Sequence, residues 1–398
     1  MPPLFQSRRA ALAFLLIGQT AAMGLWFIAS AVLPDMLQSV DLSPVMQALL
    51  ASSVQAGFVV GALGSAALSL PDRLDPRRVF TLSGLLAAAA TLALALLPPG
   101  GAVSVGLRFF TGVMLAGVYP VGMRLAVAWG VRDRGWLVGL LVGALTLGSA
   151  TPYLIGFLGG ADWRLALMVA AGVAALGSLP TMATALGPHH ARAARLDPGA
   201  LGTLWHHPGL RYATLGYLGH MWELYAFWAW LALALGTTYA DALGAGPAAR
   251  MGQIVTFAAV GAGAVFCLIG GRLADRVGKA NVTLLFMAIS GLSALATAAA
   301  LGGPVWLVAL AALVWGASVI PDSPQFSALI ADMAPADRVG SLLSLQTALG
   351  FLLTVGTVQL APSVAAAIGW RGTLALLALG PLFGSLAMLR LKVVTGVR

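Results

Sequence analysis

Long apolar runs separated by short polar stretches set the pattern of this chain. Twelve such runs lie near 10–33, 44–70, 78–97, 103–129, 135–158, 164–186, 211–236, 250–271, 281–301, 304–331, 340–366 and 371–391. About 20 apolar residues are enough to cross the hydrocarbon core of a bilayer as an α-helix. A membrane β-barrel would alternate polar and apolar positions in segments of about ten. These runs do not alternate. The pattern therefore predicts an all-α polytopic membrane protein with twelve transmembrane helices.

Composition agrees with that reading. The 398 residues are 60% hydrophobic and 9% charged, against roughly 25% charged in soluble domains. The single cysteine, Cys267, lies in the eighth run and allows no intrachain disulfide. Arg8 and Arg9 precede the first run as they would in a signal peptide. That run is too long and lacks a small-residue cleavage site, so it is expected to remain as the first helix.

The net charge of +9 changes the picture only through its distribution. With the N-terminus inside, Arg108, Arg164, Arg250 and Arg371 face outward and Arg124 lies within a span. The remaining 17 of the 22 Lys/Arg fall at cytoplasmic ends or loops. This is the positive-inside bias. It predicts both termini in the cytoplasm of a bacterial inner (plasma) membrane. The basic charge then faces anionic lipid, and no nucleic-acid partner is expected.

The pattern is also written twice. Asp72-Arg73-Leu74 is echoed by Asp275-Arg276-Val277, 203 residues later. Asp133-Arg134-Gly135 is echoed by Asp337-Arg338-Val339-Gly340, and Trp163-Arg164 by Trp370-Arg371. Such repetition predicts two six-helix bundles in a parallel pseudo-two-fold repeat. The bundles would be 1–186 and 211–398. Residues 187–210 between them read as a cytoplasmic linker with His189, His190, Arg192, Arg195, Asp197, Pro198, His206, His207 and Pro208. Its four histidines have no metal-site spacing, and no metal is expected.

The most specific string is Gly271-Arg272-Leu273-Ala274-Asp275-Arg276-Val277-Gly278-Lys279. Gly271 would permit close helix packing. Asp275, Arg276 and Lys279 would anchor the cytoplasmic face, and Gly278 would allow a tight reversal. This string resembles the signature loop of the major facilitator superfamily. The first-half copy, Asp72-Arg73-Leu74-Asp75-Pro76-Arg77-Arg78, departs from the pattern: Leu68 and Asp75 stand where glycines would be. In the family that loop latches the two halves together. Arg108 ahead of Gly112 and Gly117 is similar to the family's fourth-helix motif, whose arginine is linked to proton transfer. The fifth span, with Gly139, Gly143, Gly148, Pro152 and Gly156, resembles an antiporter motif without its Gly-Pro pair. The resemblance implies a secondary transporter working by alternating access.

Candidate chemistry centres on Glu223, the only glutamate in the chain, near the middle of the seventh run. An ionisable group at bilayer depth costs several kcal/mol and marks a functional site by default. Gly216, His220, Glu223, Phe227 and Trp230 share one helical stripe, with His220 and Glu223 three residues apart. Such a pair can load and release a proton. A structural pair that only fixes packing is the competing reading. Trp222, Tyr225, Trp228 and Trp230 cluster beside it and would suit a substrate or cation.

Asp322 lies in Ile320-Pro321-Asp322-Ser323-Pro324-Gln325, where two prolines break the tenth helix. It either lines a cavity or caps the restarted helix. The corresponding first-half string is Tyr119-Pro120-Val121-Gly122-Met123-Arg124. Arg124 would bind an anionic solute, pair with a carboxylate or snorkel to the interface. Gln19, Trp26 and Ser30 share a face of the first helix. Gln47 and Gln55 on the second, Gln325 on the tenth, and Gln346 and Thr354 on the eleventh complete the polar set; each would serve as a cavity group or an interhelical hydrogen bond.

No phosphate-binding Gly-Lys-Ser/Thr string occurs, so ATP is not expected to drive the protein. No Ser-His-Asp set has readable spacing. Neither enzyme activity nor a cofactor is expected. The expectation is a monomeric, proton-coupled transporter of a small organic solute, with Glu223, His220, Asp322 and Arg108 in the coupling. Export of an amphipathic or cationic compound competes with uptake or exchange of an anion on Arg108 and Arg124. A sensor or scaffold that transports nothing is the alternative from another class.

Overall fold

The computed structural model describes residues 7–68, 73–130, 134–159, 162–189, 199–335 and 338–397. Its regular structure among them is helical. In chain order the elements are α1 (Arg8–Met36), α2 (Pro44–Ala67), α3 (Pro76–Leu96), α4 (Gly101–Leu115), α5 (Tyr119–Val127), α6 (Arg134–Gly159), α7 (Trp163–Ser178) and α8 (Ala200–His206). They continue with α9 (Pro208–Thr238), α10 (Ala240–Leu243), α11 (Ala245–Val277), α12 (Lys279–Ala300), α13 (Val305–Val319), α14 (Ser323–Met333), α15 (Val339–Leu377) and α16 (Leu379–Thr395).

Ten helical stretches among the described residues are long and apolar enough to cross a membrane. Val339–Thr395 counts among them as a single stretch of 57 residues, although Gly369 interrupts it at φ 75°, ψ 166°. The 31-residue α9 is not in the set. His220, Glu223 and its tryptophans and tyrosines lower its mean hydropathy.

Two spans are broken in the middle. The fourth stops at Leu115 and restarts at Tyr119, with Gly117 and Val118 bonding three residues back to Met114 and Leu115. Pro120 has no N–H for the carbonyl four residues earlier, which favours a break there. The stretch Val305–Met333 stops at Val319 and restarts at Ser323, whose N–H donates to the Ile320 carbonyl. Pro321 and Pro324 act there in the same way.

By internal contacts the chain forms two compact units: Met1–Ala193 with Trp228–Ala258, and Ala194–Phe227 with Ala259–Arg398. Helices α9 and α11 contribute to both. In the first unit, α2 and α4 touch backbone to backbone. A Cβ on Gly57 would collide with the Phe109 carbonyl, and one on Gly112 with the Val54 carbonyl. Arg164, at the start of α7, donates to Ala95 O at the end of α3 (2.6 Å). In the second unit Arg371 donates to Leu301 O at the end of α12 (2.5 Å).

The first helix runs past the expected boundary at residue 33. Pro34 and Asp35 belong to its last turn, and Asp35 is buried. A proline-aspartate pair after an apolar run reads as a loop signal. Here a proline near a helix end removes one hydrogen bond without breaking the helix.

Candidate functional site

Glu223 sits halfway along α9, buried in the second unit. Each carboxylate oxygen has its own donor from another helix. Ser290 on α12 donates to Oε2 at 2.7 Å, and the Trp315 indole N–H on α13 donates to Oε1 at 2.5 Å. The ring of Phe227, one turn along α9, packs on Trp315 with centroids 4.2 Å apart. An indole can only donate, whereas a hydroxyl can donate or accept. The cage therefore suits both states of the acid. Ser290 donates to the carboxylate or accepts from the carboxylic acid, while Trp315 holds the other oxygen.

The ionic partner of His220 is Asp322 rather than the expected Glu223. Nδ1 of His220 lies 3.0 Å from Oδ1 of Asp322, with both side chains buried. The contact is an ion pair when the imidazole is protonated. The three-residue spacing on α9 does put His220 and Glu223 on one side, but the break between α13 and α14 brings Asp322 to the imidazole.

Asp322 occupies the N-cap position of α14, yet its side chain makes no capping hydrogen bond. Tyr217 stacks near His220 at 6.1 Å, and Phe326 lies 5.9 Å from it. Nε2 of His220 has no hydrogen-bond partner among the described residues.

Other second-unit candidates lie around this core. Tyr225 meets Phe351 edge-on at 5.2 Å, and Gln325 is buried. Gln346 on α15 is fully buried with both amide atoms unbonded among the described residues.

The first unit holds the rest. The Arg108 guanidinium is buried and bonded to backbone at all three nitrogens. It donates to Leu50 O of α2 (3.1 Å), Leu25 O (2.8 Å) and Trp26 O (2.5 Å) of α1. The close approach of α2 and α4 at Gly112, one turn on, brings the Leu50 carbonyl within reach. Gln19 is buried, with neither amide atom hydrogen-bonded among the described residues. Trp26 packs on Phe58 at 4.8 Å, and Ser30 is buried. In its satisfied orientation the Gln55 amide donates back to Ser52 O and Ala51 O on its own helix. Tyr119 and Arg124 are half-buried at the two ends of α5. Trp230 is buried in the first unit, apart from the second-unit part of its stripe.

On the loops, Asp72, His190, Arg192, Arg195, Asp197, Pro198, Asp133 and Asp337 lie outside the described residues. Arg73, Asp275 and Arg276 are exposed. Gly278 makes the reversal between α11 and α12 at φ 93°, a conformation for glycine alone. Lys279 pairs with Asp332. The close helix contact expected at Gly271 falls instead on Gly270, where a Cβ would lie 2.6 Å from Pro321 Cβ; Gly271 faces open space. Asp75 caps α3, and the Arg77 guanidinium holds its carboxyl below the usual carboxylate range. Arg77 also donates to Thr184 O at 2.8 Å.

Sequence reasoning missed Ser290, Trp315, Asp35 and Gln253. A serine in an apolar helix, or one tryptophan among eleven, carries no mark of its partner. Asp35 had a signal, since it is an acid placed directly against an apolar run.

The profile of the Major Facilitator Superfamily matches residues 15–239, more than half of the chain. The chain belongs to the major facilitator superfamily. It is accordingly a multi-pass integral membrane protein of a transporter family. Two solved superfamily structures resemble it. One is a mutant of the nucleoside transporter NupG, with TM-score 0.73 and 14% identity, covering 97% of this chain and 100% of that one. The other is a bacterial homologue of the human lysosomal transporter Spinster, inward-facing and occupied, with TM-score 0.77, 12% identity and 97% of each chain covered. At these identities the likeness shows the superfamily fold alone. No curated protein matches the sequence.

Proposed function

We propose that this chain moves a small organic solute across the membrane by alternating access, coupled to protons through Glu223. The observation that carries the reading is the Glu223 cage. The only glutamate of the chain is buried at mid-helix, with one fixed donor and one reversible hydroxyl. That arrangement accommodates a carboxylate and a carboxylic acid in turn, as a proton carrier requires. The His220–Asp322 pair in the same unit supplies a second titratable step.

The architecture in this reading is twelve spans in two repeated bundles, 1–186 and 211–398, joined by 187–210. Three features support it. Gly369 divides the longest helical stretch into two spans, and α9 is long enough to be a further span. The fourth and tenth spans break at matching places. Arg164 and Arg371 make similar contacts, each donating to a carbonyl at the end of an earlier helix, 69 and 70 residues back. The positive-inside bias favours cytoplasmic termini in an inner membrane. The protein acts as a monomer in this scheme.

The aromatic surround and two buried acids favour an amphipathic or cationic solute. An anion carrier would use Arg108 and Arg124, but three of the five N–H donors of Arg108 are already taken by carbonyls. A screen of solutes by thermal shift finds a ligand, because binding stabilises the folded state. A gradient of that solute across liposomes containing the protein is then expected to drive proton movement. Solute flux with no accompanying proton flux would contradict the reading.

A further inference from the structure

One buried acid remains outside this scheme. Asp35, in the last turn of α1, accepts from Nε2 of Gln253 on α11 at 2.6 Å. The same nitrogen donates to Ala31 O at 3.1 Å. Gln253 is fully buried, and its Oε1 has no hydrogen-bond partner among the described residues. The amide is wedged in place: a Cβ on Gly156 of α6 would come within 2.8 Å of Nε2. All of these residues belong to the first unit.

The orientation of this amide suits one protonation state. Both N–H groups of Gln253 are engaged, one with the carboxylate and one with a carbonyl. Its oxygen is idle. An ionised Asp35 is served by a charge-assisted hydrogen bond, roughly twice as strong as a neutral one. A protonated Asp35 loses that charge assistance, and the Gln253 oxygen that could take its proton makes no hydrogen bond among the described residues. Turning the amide to accept that proton would give up the Ala31 contact. Arg250, one turn before Gln253 on α11, is the charged neighbour of the acid. Gln38, in the turn just after α1, adds a long contact at 3.5 Å to Oδ1.

We propose that Asp35 and Gln253 form a proton-released latch, which fastens the outer part of α11 to α1 while Asp35 is ionised. This rests on the orientation given above, with the C-terminal end of α1 outside. A proton arriving from the outer solution breaks the charge-assisted bond and frees α11. Proton binding would then open the outer side of the transporter, one step before a proton reaches Glu223.

Spin labels at Val45 and Ala242, both exposed, in a Cys267→Ser background report the separation in full-length protein reconstituted in lipid. At pH 8 a single short distance is expected, and a longer population is expected to appear at pH 5. Asp35→Ala removes the acceptor and is expected to show the longer population at both pH values. Asp35→Asn keeps an acceptor for Nε2 and is expected to stay short at both. Glu223→Gln is expected to retain the pH response, which separates this latch from the coupling site. A pH response that survives in Asp35→Asn, or its absence in the otherwise unaltered protein, would overturn the proposal.

Discussion

The indole N–H of Trp315 meets Oε1 of Glu223 at 2.5 Å. This contact joins α13 to the middle of α9, and it gives the carboxylate a donor that cannot reverse. A hydrogen bond to a charged group is worth about 1.5–3 kcal/mol, or roughly tenfold to a hundredfold in an equilibrium. Trp315→Phe keeps a ring against Phe227 and removes only the N–H. Proton-driven accumulation of solute is expected to fall by about tenfold or more, with folding retained. Ser290→Ala should lower it too, and Ser290→Thr should restore it because a hydroxyl returns. Uptake assays on the three variants decide the matter; equal failure of Ser290→Thr and Ser290→Ala would deny the reversible hydroxyl its role.

The His220–Asp322 pair makes a different prediction. Breaking one partner of a buried ion pair leaves an uncompensated group and costs about 3–5 kcal/mol. Asp322→Asn and His220→Gln should each lower the thermal stability of the purified protein. The double variant should lose much less than the sum of the two. Additive losses in this double-mutant cycle would show that the two side chains do not interact.

Arg108 is a test of positioning. Its three nitrogens tie α4 to α1 and α2 through backbone carbonyls. An ammonium is compact and cannot reproduce the planar fork. Arg108→Lys is therefore expected to destabilise the protein by about 3–6 kcal/mol, as two charge-assisted bonds are lost. Thermal unfolding in detergent measures this. A Lys variant as stable as the parent would mean that the carbonyl contacts contribute little.

Asp75 links stability to pH on the membrane surface. The Arg77 guanidinium favours the ionised form in the fold. Its contribution is therefore present above the unfolded carboxylate value of about 4, and it is lost as pH falls through the lower folded value. Solvent screening limits the ion pair to less than about 1 kcal/mol, and the helix cap adds about 1 kcal/mol. Asp75→Ala should lower stability by about that cap at pH 7 and by less near pH 3. An equal loss at both pH values would contradict the cap-and-pair account.

The helical membrane class was legible in the sequence because apolar runs of span length have few other uses. The breaks at Pro120 and at Pro321 and Pro324 were also legible, since proline acts locally. Glu223 could be singled out by its rarity at bilayer depth. Its partners could not. Ser290 and Trp315 meet it only because α12 and α13 fold against α9, and nothing local marks them. His220 shows the limit of helical spacing: three residues separate it from Glu223, yet its ionic partner comes from a broken helix about 100 residues away. Asp35 was lost at a helix boundary, where a Pro-Asp pair reads as a turn.

Proton flux with Glu223→Gln tests the central claim most directly. Glutamine keeps the size and the hydrogen-bonding oxygen for Trp315 but cannot carry a proton. Liposomes containing this variant are loaded with solute, and solute and proton movement are recorded together. The account predicts that solute exchange continues while proton-driven accumulation disappears. Proton coupling at the level of the unaltered protein in Glu223→Gln would contradict it.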